Sequence, residues 1–129
     1  MTPAEYLTSV KERLLTDPVI ESFRILRERE TPVDAYLRAR LTLIDASHIE
    51  FAEYVQFAAG EPQVTTYSYH WTDEAGVLIQ RWDNTPHFPE MPGFPHHIHT
   101  GPEAQPAPAS PTDIFSVLNE MTRLINRST

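Results

Sequence analysis

Residues 67–83, "YSYHWTDEAGVLIQRWD", decide the fold of this chain. The runs on either side of "TDEAG" are rich in aromatic and β-branched side chains, which fit a pleated, half-buried surface. The connection between them has turn chemistry, so the segment predicts a β-hairpin. With an even-numbered loop, Ser68 and His70 share a face with Arg81 and Asp83. Tyr67, Tyr69 and Trp71 then share the other face with Leu78 and Trp82. One face reads as core, and the other brings an imidazole, a guanidinium and a carboxylate within reach of each other.

The segments upstream alternate in the same way. "VDAYLRARLTLI" places Leu37, Ala39, Leu41 and Leu43 on one side and Tyr36, Arg38, Arg40 and Thr42 on the other. "HIEFAEYVQF" sets Ile49, Phe51, Val55 and Phe57 against His48, Glu50, Tyr54 and Gln56. "VIESFRILRERE" reads as a further strand with Val19, Glu21, Phe23, Ile25, Arg27 and Arg29 on one face. Five strands in succession predict an antiparallel meander.

Helices bracket the sheet. Thr2, Pro3 and Glu5 form a capping-box signature, and Tyr6, Val10 and Leu14 give the first helix its stripe. "TDIFSVLNEMTRLIN" repeats Ile114, Val117, Leu118, Met121 and Leu124/Ile125 at helical spacing. Eight of the twelve prolines lie between Pro86 and Pro111, so residues 82–110 read as a long loop without regular structure. Its histidine-rich half, to about His99, is expected to dock on the domain, and "GPEAQPAPASP" to be a mobile linker. The expectation is one α+β domain over 1–129, with a five-stranded sheet covered on one face by an N-terminal and a C-terminal helix.

Composition narrows the function. No cysteine is present, which removes disulfides, thiolate metal sites and cysteine nucleophiles. No apolar run approaches the ~20 residues that span a bilayer, and the first residues lack a secretory pattern, so a cytoplasmic protein with no membrane partner is expected. Net charge is −8, and protonating all six histidines would still leave −2. That balance opposes nucleic acid globally, so an RNA-binding role needs a local cationic patch. Arg38 and Arg40 beside Tyr36 supply one, extended by Arg27 and Arg29 if the first two strands pair. Arginines hold phosphates while a base stacks on the tyrosine. Pairing with Glu50 or Glu21 is the plain alternative.

Four of the six histidines fall in "RWDNTPHFPEMPGFPHHIHTG", residues 81–101. Imidazole exchanges protons near pH 7. Two of them flanking a phosphodiester serve as base and acid for attack by a 2′-hydroxyl, and a guanidinium offsets the charge that builds on phosphorus. His70, His87, His96, His97, His99, Arg81 and Asp83 are the candidates, with no cofactor required. A divalent metal such as zinc is the alternative, with His97, His99 and Asp83 as ligands. Asp83-Asn84 also suits a side-chain turn before Pro86, which needs no catalysis.

"RARLTLIDASHIEFAEYV" (38–55) and "YSYHWTDEAGVLIQRWDNTPHFPEMPGFPHHIHTG" (67–101) closely resemble the TumE family of prokaryotic toxins. That family carries a strand like "RGRLTLEDGSxLxFxEYV" followed by "YSYHWxDxxGxLIxRWDNxPHHPxxxxFPHHxH". Arg38, Arg40, Glu53, Tyr69, His70, Trp71, Arg81, Trp82, Asp83, Asn84, His87, His96, His97 and His99 match it; Ala46 and Phe88 depart, at a turn glycine and a second histidine. The resemblance implies a type II toxin neutralised by a helix-turn-helix antitoxin and acting on RNA. The expected function is endoribonuclease, with a metal-dependent hydrolase or a non-enzymatic protein-binding toxin as alternatives. Homo-oligomerisation is left open.

Overall fold

The chain is described by a computed structural model covering residues 1–127. Helix α1 (Pro3–Thr16) starts from the expected capping box: the Thr2 hydroxyl accepts the Glu5 N–H, and the Glu5 carboxylate accepts the Thr2 N–H. Pro3, Tyr6, Leu7, Val10 and Leu14 form its buried stripe. Strands β1 (Ile20–Glu30), β2 (Asp34–Leu43), β3 (His48–Ala58), β4 (Glu61–Thr72) and β5 (Leu78–Asp83) follow in an antiparallel meander. Helix α2 (Ile114–Arg127) closes the fold. Asp113 caps it by accepting the Ser116 N–H at 2.8 Å.

The sheet has seven strands, two more than the five expected. β6 (His97–Thr100) and β7 (Gln105–Pro108) continue the meander from β5, inside what reads in sequence as loop and mobile linker. The reason lies in where the prolines fall. "HIHT" is a proline-free run of four that pairs with β5. In β7, Pro106 and Pro108 sit two apart on the sheet's edge strand. Successive N–H groups of a strand point to opposite sides, so this spacing removes donors from one side and leaves the other free to pair.

Two bulges correct the expected faces. A register shift between Ile25 and Arg27 leaves Leu26 unpaired and turns Arg27 and Arg29 away from Phe23 and Ile25, to lie opposite Arg38 and Tyr36. A second shift, between Trp71 and Thr72, puts Leu78 opposite Thr72. Ile79, not Leu78, therefore packs on the core.

Both helices lie on one face of the sheet. The core joins Val10 and Leu14 of α1 and Val117, Leu118 and Met121 of α2 to Leu41, Ile49, Phe51 and Tyr69 of the strands. Within it sits a carboxylate. Glu53 is fully buried and accepts hydrogen bonds from the Tyr6 hydroxyl (2.6 Å), the Tyr69 hydroxyl (2.6 Å) and the Ile114 N–H (2.7 Å). Burial pushes its carboxyl above the usual range, and these three donors oppose that shift. One side chain thus ties both helices to the sheet.

Candidate functional site

The other sheet face is open, and the antiparallel register sets its side chains in rows. One row runs Arg24, Arg40, Glu50, His70, Arg81, His99, Pro106 across all seven strands. The next runs Arg27, Arg38, Ala52, Ser68, Asp83, His97, Pro108. Because side chains two apart share a face, the expected grouping of Ser68 and His70 with Arg81 and Asp83 holds. The two added strands bring His97 and His99 alongside.

The rows separate by chemistry. Strands β1 and β2 present Arg24, Arg27, Arg29, Arg38 and Arg40, all exposed. Arg38 pairs with Glu50 at 3.1 Å, an exposed contact of small worth. Among the described residues, Arg24, Arg27 and Arg40 make no ion pair. Tyr36 stands opposite Tyr54 one row further along, its hydroxyl accepting from Arg38 Nε at 3.5 Å.

In the middle of the face a pocket of about 200 Å³ is lined by Arg38, Glu50, Ser68, His70 and Arg81. Arg81 is its hinge. Its Nε donates to Asp83 Oδ2 at 2.7 Å, and its Nη1 lies 3.2 Å from His70 Nδ1. Guanidinium only donates, so His70 Nδ1 accepts here and Nε2 carries the proton of the neutral ring. Burial and the Arg81 charge hold His70 below the ordinary imidazole range, against a smaller pull from Glu50.

Beyond Arg81, Asp83, His97 and His99 gather so that one ligand atom of each lies within 4.8 Å of the others. Burial pushes the Asp83 carboxyl up, but hydrogen bonds from Arg81 and the Thr85 N–H, with the His97 and Arg81 charges, outweigh it and leave the group below its usual value. His97 Nδ1 faces the Pro95 carbonyl at 2.9 Å and His99 Nδ1 the Ala104 carbonyl at 3.0 Å. Carbonyls accept, so each Nδ1 donates and each Nε2 turns toward Asp83. His97 Nε2 stands 2.8 Å from Asp83 Oδ1 without the alignment of a hydrogen bond, and this buried nitrogen has no hydrogen-bond partner among the described residues. His99 Nε2 is 3.9 Å from Asp83 Oδ2.

Two expected site residues stand apart. His96 stacks on Tyr67, its Nδ1 2.8 Å from the Tyr67 hydroxyl, beside Val64 and Asp113. It neighbours His97 in sequence and so points to the opposite face of the chain. Burial and Asp83 push the Tyr67 hydroxyl up to about 12, so it remains protonated. His87 is exposed on the 84–96 loop, its ring 6.0 Å from that of His97. Phe88, one residue on, lies over both cluster imidazoles at 5.5 and 6.3 Å between ring centres. The sequence carried no signal for this roof, nor for Arg24 joining the row, whereas Glu50 pairs with Arg38 as the plain alternative for the β2 arginines had it. Asn84 clamps β4 to β5, accepting the Tyr67 N–H and donating to the Thr65 carbonyl. Asp83 also makes its expected turn by accepting the Thr85 N–H.

Comparison with known proteins gives one match. A family model described as toxin TumE matches residues 10–129. No curated protein and no solved structure matches the chain.

Proposed function

Since the chain belongs to the TumE toxin family, we propose that it poisons by cutting RNA on the open face of its sheet. The observation that carries this reading is the cross-strand order His70, Arg81, then the Asp83–His97–His99 cluster. A phosphate drawn to Arg81 would have an imidazole on one side and the cluster on the other. Neighbouring strands lie about 4.8 Å apart, so the two flanks sit on opposite sides of one phosphodiester.

The chemistry follows from the hydrogen bonds. As the phosphate takes Arg81 Nη1, His70 Nδ1 loses its donor and becomes free to accept the 2′-hydroxyl proton. A neutral His70 near pH 7 suits that task. Attack of the 2′-oxygen on phosphorus forms a 2′,3′-cyclic phosphate. The departing 5′-oxygen would take its proton from a water held at the cluster on the far side of Arg81. That water is left as hydroxide and regains a proton from solvent, as His70 loses the one it accepted. Arg81 offsets the charge gathered on the phosphoryl oxygens. Asp83 holds Arg81 in place from below. The exposed arginines of β1 and β2 hold the flanking backbone, and Tyr36 offers a ring to a base.

The −8 charge is carried elsewhere on the surface and fits a second partner, a basic helix-turn-helix antitoxin that neutralises the toxin. The test is expression in cells without the antitoxin, with RNA ends mapped for wild type and His70→Ala. Wild type should accumulate new RNA ends and arrest growth, and His70→Ala should do neither. Intact RNA in arrested cells, or full toxicity from His70→Ala, overturns the reading.

A further inference from the structure

We propose that Asp83, His97 and His99 form a binding site for one divalent first-row transition metal of the zinc class. Three observations carry it. The first is misalignment. His97 Nε2 and Asp83 Oδ1 are 2.8 Å apart, yet the nitrogen does not address the oxygen. Two ligands of one ion behave this way, because their lone pairs converge on the point between them and not on each other.

The second is the tautomer. Both imidazoles donate Nδ1–H to a backbone carbonyl, at 2.9 and 3.0 Å, which leaves both Nε2 lone pairs directed inward. Metal-binding histidines are oriented in this way by their outer hydrogen bonds. The third is burial. His97 is 1% exposed, and a buried polar atom without a partner is costly unless something meets it.

The donor set selects the ion. Two imidazoles and one carboxylate suit zinc, cobalt or nickel, whereas calcium and magnesium take oxygen ligands. Three protein ligands leave a fourth position open, as in catalytic zinc sites. Arg81 hydrogen-bonds Asp83, so a metal held by the cluster would neighbour the phosphate proposed at Arg81. The site's role rests on the nuclease reading, in which a water held there would protonate the leaving 5′-oxygen. Its existence rests on the ligand geometry alone. Phe88 roofs the cluster and His87 borders it.

Chelator-treated full-length protein is titrated with zinc by calorimetry, and with cobalt by visible absorption. Wild type should bind one equivalent of either. His99→Ala, whose ring is partly exposed, is the decisive variant and should lose that equivalent while keeping its circular dichroism. Asp83→Asn should weaken it, whereas His96→Ala and His70→Ala should bind as wild type. No binding of zinc or cobalt by wild type, or undiminished binding by folded His99→Ala, overturns the site. RNA assays on the same samples separate the two proposals. One bound zinc with no cleavage sinks the nuclease and spares the site, and undiminished cleavage by protein that takes up no metal does the reverse.

Discussion

Replacing Glu53 by alanine should cost this protein more than any change on its open face. The carboxylate meets three buried donors, the Tyr6 and Tyr69 hydroxyls and the Ile114 N–H, at 2.6, 2.6 and 2.7 Å. A buried donor stripped of its partner costs about 1–3 kcal/mol. Relief from desolvating the carboxyl returns part of the sum, so the expected net loss is about 3–5 kcal/mol, against a total stability of roughly 5–15 kcal/mol. Glu53→Gln keeps one acceptor oxygen but sets an amide N–H₂ against a donor, for about 1–2 kcal/mol. Urea unfolding followed through the buried Trp71 and Trp82 measures both. With a slope of about 1–3 kcal/mol per molar urea, the alanine midpoint should fall by roughly 2 M. An alanine variant within about 1 kcal/mol of wild type would refute the claim that this carboxylate holds the two helices to the sheet.

Three further outcomes are expected. His70 should titrate below 6.5 by NMR, and Arg81→Gln should move it back upward. Because its folded pKa is depressed, the stability it contributes is present above pH 6.5 and is lost as pH falls through the folded value, and RNA cleavage should fall over the same window; a His70 titrating above 6.5 contradicts this. Arg27→Ala or Arg38→Ala should weaken RNA affinity across sequences and reduce the salt slope by about 1 each, and an unchanged slope would remove that arginine from the RNA path. Gly93→Ala should lower thermal stability by about 1–3 kcal/mol, because φ is +82 and a Cβ would sit 2.8 Å from the Ala109 carbonyl oxygen; an unchanged melting temperature refutes that contact.

Alternation made most of the fold legible. Leu37, Ala39, Leu41 and Leu43 read as core and are core, whereas the hairpin loop is odd, five residues between Thr72 and Leu78, and His70 still aligns with Arg81 because the register shift after Trp71 offsets it. The two misplaced faces, at Arg27 and at Leu78, both lie next to bulges, where one extra residue inverts the pattern without any mark in composition. β6 and β7 were hidden by proline content, since the averaging that marks a loop ignores where each proline falls along an edge. Glu53 was legible in principle, because it alternates with Phe51 and Val55, but a pattern built on apolar residues passes over it. Within the site, residue types named the chemistry and pairing chose the members. His97 and His99 share a face and join the cluster, and His96 between prolines and cluster turns away to Tyr67.

The open face is proposed to cut RNA through the 2′-hydroxyl at the His70–Arg81 pocket. Purified protein incubated with a DNA oligonucleotide carrying a single ribonucleotide tests it most directly. One cut should appear on the 3′ side of the ribose, leaving a 2′,3′-cyclic phosphate, and His70→Ala and Arg81→Ala should each abolish it. Cutting at deoxynucleotides as well, or a cut that survives loss of His70, would rule out attack by the 2′-hydroxyl with His70 as its base.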